Sequence, residues 1–219
     1  MAKLSGHPDF PRRALFHALN QKAIAKRFAE ETGRPYDSLN LIVAHMGGGT
    51  SVGCHRQGKV VDVNNGLEGE GAFTGERCGG LTALDVVKAT LSGQWGKTYA
   101  EIRHELCMKS GLVGHTGTND GREISRRINE GDKQAELAYR TMAYQVSKEI
   151  CALAAPLMGK VDAILLTGGF AYDKMLMGWI EEYVCFLAPV HVYPGEDEML
   201  ALAQGAMRVL NGKEEAKVY

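Results

Sequence analysis

The chain has 219 residues, 45% of them hydrophobic, with 25 Lys and Arg against 26 Asp and Glu. That length sustains a real core in one large domain or two small ones, and the balanced charge leaves no global field to draw the chain to nucleic acid or to an anionic membrane. Five scattered cysteines (Cys54, Cys78, Cys107, Cys151, Cys185) form no CxxC pair, which argues against a disulfide framework or a zinc site and for reduced thiols in a cytoplasmic protein. Met1 to Pro8 has no apolar signal core, and no stretch approaches the roughly 20 apolar residues of a membrane span.

Phe16 to Thr32 carries helical spacing at Phe16, Leu19, Ala23, Ile24 and Phe28, with Gly33-Arg34-Pro35 as its stop. Asn40 to Ala44 reads as a buried strand running into His45-Met-Gly-Gly-Gly-Thr-Ser. Strands at 50–55 and 59–63 flank Arg56-Gln57-Gly58, a hairpin signal. A glycine-rich loop follows from Asn64 to Gly80. Helices are expected at 82–91, 98–109 and 122–129, then a long one from Lys133 to about Met158, capped by Asp132. Val161 to Leu166 is a second apolar strand, ending in Thr167-Gly168-Gly169. A helix at 172–182, a short strand at 189–193 and a helix at 199–211 complete an α/β pattern without repeats or linkers.

Glycine is the compositional outlier, at 27 residues against six prolines, and its clusters sit where chemistry is expected. Gly47, Gly48 and Gly49 between two strands let main-chain N–H groups approach an anion. This is not a Walker loop, because no Gly-Lys-Ser/Thr enters a helix. Gly168-Gly169-Phe170 lies between a strand and a helix, a second place for phosphate or ribose. Asp120 suits ribose hydroxyls and Arg122 a base or phosphate, although a helix cap with a solvated arginine fits them equally. Arg77, inside the glycine-rich loop, is a cation able to neutralise a transferring phosphoryl group or a surface arginine on a mobile loop. His17 is a donor candidate that is structural in most settings. Glu196-Asp197-Glu198 suits either a helix N-terminus or a magnesium ion bridging phosphates.

The order of these motifs resembles the acetate kinase family, within the superfamily of sugar kinases, heat-shock chaperones and actin. Phe16-His17-Ala18-Leu19-Asn20-Gln21-Lys22-Ala23 and Asp62-Val63-Asn64-Asn65-Gly66-Leu67-Glu68-Gly69-Glu70-Gly71 are similar to the butyrate kinases in particular. Acetate kinases instead carry Phe-His-Gly-Thr-Ser-His and a His-Leu-Gly-Asn-Gly loop. The resemblance runs from about residue 7 to about residue 210. It implies a C-terminal ribonuclease-H-like, actin-like ATPase domain with a mixed sheet flanked by helices. It also implies transfer of the ATP γ-phosphate to butanoate or a similar short-chain carboxylate, giving butanoyl phosphate and ADP. Branched-chain acids and acetate remain alternative substrates.

Residue by residue, the resemblance makes His17 and Arg77 catalytic. It makes His45, Gly47, Gly48 and Gly49 the second phosphate loop, and Asp120 and Arg122 ribose and adenine contacts. Gly168, Gly169 and Phe170 become the adenosine loop, Phe16 an acyl-pocket aromatic and Glu198 the Mg2+-linked glutamate. A homo-oligomer is expected. The family's first domain, with its Asn-Pro-Gly-Ser-Thr loop, a second catalytic arginine and a catalytic aspartate, has no counterpart in residues 1–16. The chain is therefore expected to supply half of a kinase and to be inactive alone. The helix spanning about 199–219 is expected to lack the surface it would pack on.

Overall fold

The computed structural model describes residues 1–196, 198–212 and 215, without the side chains of Glu198, Leu200 and Gln204. Five strands, β1 (Asn40–Met46), β2 (Thr50–Arg56), β3 (Lys59–Val63), β4 (Ala163–Gly168) and β5 (Val190–Pro194), form one sheet in the order β3-β2-β1-β4-β5. The β1–β2 and β2–β3 pairs are antiparallel, and β4 runs parallel to both β1 and β5. Gln57 and Gly58 turn the β2–β3 hairpin with φ of 49° and 78°. Such left-handed pairs match the twist of the flanking strands.

Strands β1 and β4 read as unbroken apolar runs because both of their faces are covered. Leu41, Val43, Ala163 and Leu165 face α1 (Ala18–Thr32), which contributes Ala25, Phe28 and Ala29. Ile42, Ala44, Met46, Ile164 and Leu166 face the other way, toward Tyr139, Met142, Val146 and Ile150 of α6 (Lys133–Ala152) and Leu176 and Ile180 of α7 (Lys174–Val184). The same period of two sets up the site. His45, Ser51, Gly53 and His55 fall on the α1 side of their strands.

The remaining helices are α2 (Ala83–Ser92), α3 (Tyr99–Met108), α4 (Gly111–Thr116), α5 (Gly121–Asn129) and α8 (Glu198–Leu210). A capping box at Thr98 and Glu101 starts α3. Several boundaries differ from the sequence reading, among them the start of α1, at Ala18 rather than Phe16. Helix α6 ends at Ala152 rather than near Met158, because Pro156 lacks an N–H and cannot continue the ladder. Helix α7 starts at Lys174, with the Asp173 carboxylate accepting from the N–H groups of Met175 and Leu176, and Gly169–Tyr172 forms a 3-10 turn ahead of it. Helix α4 was not expected. The last helix ends at Leu210, and Ala201 buries against α1 while Met199, Leu202, Met207 and Leu210 stay exposed. No helix among the described residues is long and apolar enough to cross a membrane.

Candidate functional site

The glycine triplet sits at the carboxyl end of β1, beside the carboxyl end of the parallel strand β4. Open α/β sheets place ligands at that edge. A methyl group at Gly49 would lie 2.1 Å from Arg77 Nη1 and 2.5 Å from the Gly66 carbonyl, so the turn exists only with glycine there. The glycine-rich loop is pinned rather than mobile. Asn64 donates to the Thr50 and Glu70 carbonyls and accepts from the Val52 N–H, and the Glu76 N–H donates to the Gly48 carbonyl at 3.3 Å. These bonds carry Arg77 onto the triplet, with its Nε donating to the Leu67 carbonyl at 3.1 Å.

Among the described residues, Arg77 Nη1, Thr50 Oγ1 and His45 Nε2 are buried without a hydrogen-bond partner. Leaving one such group unsatisfied costs about 1–3 kcal/mol. Two of them, Arg77 Nη1 and Thr50 Oγ1, are donors beside one glycine turn, the arrangement that suits an anion with several oxygens. His45 Nδ1 donates to Asn20 Oδ1 at 2.9 Å. Burial, with the His17 ring next to it, pushes the His45 pKa down to about 3. The 3.6 Å approach of its Nε2 to Glu196 is therefore not an ion pair at neutral pH. The His17 ring stacks on His45, centroids 3.8 Å apart and 16° from parallel.

A cleft of about 860 Å³ opens from this turn. Gly47 and Gly48 form one end, and Asp120, Arg122, Gly169 and Tyr172 lie along it with Glu196. Gly168 has φ +94°, and a methyl group there would lie 2.3 Å from the Met46 carbonyl. That close approach brings the β4 turn against the end of β1. Asp120 caps α5 through the Arg122 N–H and also holds the Arg122 guanidinium with 3.1 and 2.8 Å contacts. These contacts lower the Asp120 pKa. Phe170 is buried against Tyr139 and Gly121 and forms floor rather than rim. The exposed aromatic in the cleft is Tyr172.

The structure thus gathers Gly47, Gly48, Asp120, Arg122, Gly169 and Phe170 around one cleft, with His45, His17, Gly49 and Arg77 at its glycine-turn end. Phe16 stands apart, lining a separate cavity of about 510 Å³ with Arg12, Lys22 and Lys59. The Glu198 side chain and Asp197 lie outside the described residues. Sequence reasoning missed Tyr172, Ser125 and Lys174 on the cleft wall, and Glu76, which accepts from Asn119 Nδ2 at 2.7 Å beside Gly48. Only the neighbourhood of Glu196 to Glu198 had signalled an acidic contribution.

Fold and cleft together define an α/β domain of the actin-like ATPase type. It superposes on the crystal structure of Porphyromonas gingivalis acetate kinase with a TM-score of 0.84 and 25% identity, over 95% of this chain and 60% of that one. The chain belongs to the acetokinase family, whose model matches residues 10–177. It is 53% identical to butyrate kinase 2 of Clostridium acetobutylicum and 52% identical to a probable butyrate kinase of Clostridium botulinum. Both alignments cover all 219 residues here and 61% of the relative. The family and fold expected from the motifs are borne out.

Proposed function

We propose that this chain supplies the adenosine and second phosphate site of a butyrate kinase, which transfers the γ-phosphate of ATP to butanoate to give butanoyl phosphate and ADP. The observation that carries the reading is the glycine turn at the sheet's carboxyl edge, with the donors Arg77 Nη1 and Thr50 Oγ1 beside it buried without a partner among the described residues. The 53% identity to a butyrate kinase supports the acceptor class. A carboxylate is ionised at pH 7 and needs no strong base. Catalysis then rests on alignment and neutralisation of the phosphoryl oxygens. In this reading the Arg77 guanidinium carries the neutralising charge and His17 donates to the transferring group. Asp120 and Arg122 exchange their mutual pairing for contacts to ribose and base.

Magnesium in kinases is held by one or two carboxylates together with substrate phosphates. Glu196, beside Gly47, is the described carboxylate that fits this role, alongside Glu198 from the family resemblance. No cluster of three metal-ligating side chains exists among the described residues, in keeping with an ion held largely by phosphates. The ion would supply charge stabilisation between the β- and γ-phosphates.

The chain spans 61% of the length of the butyrate kinases it matches. A polypeptide of these 219 residues is expected to bind ATP without turnover. The exposed face of α8 is read as meeting the remaining part of the kinase. The exposed stripe Leu84, Val87 and Leu91 on α2 is read as meeting a second copy. Five unbridged cysteines suit a cytoplasmic setting. Calorimetric titration with MgATP, paired with a hydroxamate assay for acyl phosphate, tests the reading. Binding without product is the expected result. Product from the 219 residues alone would overturn the half-site proposal, and absence of MgATP binding would overturn the whole reading.

A further inference from the structure

The layer between α1 and the β1–β2 hairpin is polar, buried and fully directed. Gln21, completely buried, donates through Nε2 to the Ser51 carbonyl at 3.0 Å and to Ser51 Oγ at 2.9 Å. A carbonyl only accepts, so the first bond fixes which end of the amide is nitrogen. Gln21 Oε1 must then accept from His55 Nε2, 3.2 Å away. His55 is left with a bare Nδ1, which accepts from the Tyr36 hydroxyl at 2.7 Å. Burial supports this state, pushing the His55 pKa down to about 4 and that of Tyr36 up to about 12. Gly53 makes the arrangement possible, since a methyl group there would lie 2.1 Å from Gln21 Oε1.

The direction continues to the other end. Ser51 Oγ accepts from Gln21 Nε2 and, at 3.4 Å, from the His17 backbone N–H. Two donors occupy its two lone pairs. The hydroxyl hydrogen therefore points along the remaining contact, to His17 Nδ1 at 2.9 Å. We propose that Gln21 and Ser51 are positioning residues that fix the tautomer of His17, with Nδ1 accepting and the ring proton on Nε2. The opposite tautomer would set an N–H against an oxygen whose lone pairs are already used. Tyr36 and His55 brace Gln21 from behind.

The use of that Nε2–H, donation to a phosphoryl oxygen, rests on the kinase reading. The tautomer does not, and it is measured without nucleotide. The experiment is a two-bond 1H–15N correlation spectrum of the 219-residue chain with 15N-labelled histidine at pH 7, with His17→Asn assigning the resonance. His17 Nδ1 is expected in the unprotonated, pyridine-like range and Nε2 in the protonated, pyrrole-like range, and His55 should show the same pattern. Ser51→Ala and Gln21→Leu should each move His17 toward averaged tautomers. Ser51→Thr, which keeps the hydroxyl, should restore the wild-type pattern. Tyr36→Phe should alter His55 and leave His17 unchanged. A wild-type spectrum with the proton on Nδ1 of either His17 or His55 overturns the proposal. So does an unchanged His17 pattern in a folded Ser51→Ala. If those two variants do not fold, the wild-type spectrum still decides. Loss of MgATP binding with the tautomer intact would count against the kinase reading and leave this proposal standing.

Discussion

The two ends of the cleft are held by opposite means. At the glycine-turn end, glycines are wedged against backbone, His45 is fully buried, and polar atoms lack partners among the described residues. At the other end, Arg122 is exposed and Asp120 half-buried, the two satisfy one another, and Tyr172 stands in solvent. The first end is organised before a ligand arrives and its residues are committed to the fold. The second is assembled from helix caps whose side chains must change partners. Substitutions of the wedged glycines and of the buried His45 should therefore disturb stability and binding together, and those at the rim should affect binding far more than stability.

The largest expected effect comes from acid. His45 and His55 have folded pKa values of about 3 and about 4, below the ordinary 6.5. As pH falls below 6.5 the unfolded chain takes up protons that the folded chain refuses. Their contribution is complete above pH 6.5 and is lost progressively toward pH 4. Urea unfolding at pH 7 and pH 5 should differ by about 4 kcal/mol for the two groups together. His55→Gln should reduce the proton uptake by one. A pH-independent midpoint over that range would show that the polar layer is open to water, removing the contrast between the two ends.

Next comes the pair Gly168 and Gly169, adjacent in sequence and opposite in demand. Gly168→Ala places a methyl group against the Met46 carbonyl at φ +94° and should cost about 3 kcal/mol or more. Gly169→Ala meets nothing within 4 Å and should stay within about 0.5 kcal/mol of wild type. Denaturant midpoints of the two variants check this. Equal losses would mean that the tight approach of β4 to β1 does not build the cleft.

This pair also marks how far the sequence could be read. Strands β1 and β4 were legible because burial on both faces leaves unbroken apolar runs, and their glycine ends were legible as turns. Which glycine of a pair is indispensable was not, because it depends on a carbonyl from another strand. The overrun of α6 had a similar cause. Leu153, Ala154 and Leu157 continue the apolar period past the point where Pro156 stops the helix. Helix α4, six residues with two glycines, carried no period at all. In the site, Arg77 was legible only through family order, since its placement depends on Asn64 and Glu76 pinning the loop. Gln21 and His55 left no local signal, because strand parity and α1 bring them together across more than 30 residues.

Arg77→Ala separates binding from folding at the glycine turn. The Leu67 contact is a single hydrogen bond and Nη1 has no partner among the described residues. Losing the guanidinium should cost little stability, while affinity for MgATP falls by roughly ten- to a hundredfold, the range for one charge-assisted contact to phosphate. Arg77→Lys should recover only part of it, since an ammonium cannot reproduce the fork. Calorimetry of both variants against wild type is the check. Unchanged affinity would place the triphosphate elsewhere than beside Gly47 to Gly49.

The smallest effect should come from the rim, where the comparison is easiest to break. Arg122 is 93% exposed and, among the described residues, paired only with Asp120, two residues before it. Exposed pairs contribute little to stability because water and salt screen both charges, so Arg122→Ala should leave the urea midpoint unchanged. Asp120→Ala removes the α5 cap as well as the pair and should lower the midpoint slightly. If the adenosine reading holds, both variants weaken ATP by roughly three- to tenfold. They should weaken inorganic triphosphate not at all, because the phosphates lie at the other end of the cleft. Equal weakening of ATP and triphosphate would show that Arg122 serves phosphate rather than adenosine, and the division of the cleft into two ends would have to be redrawn.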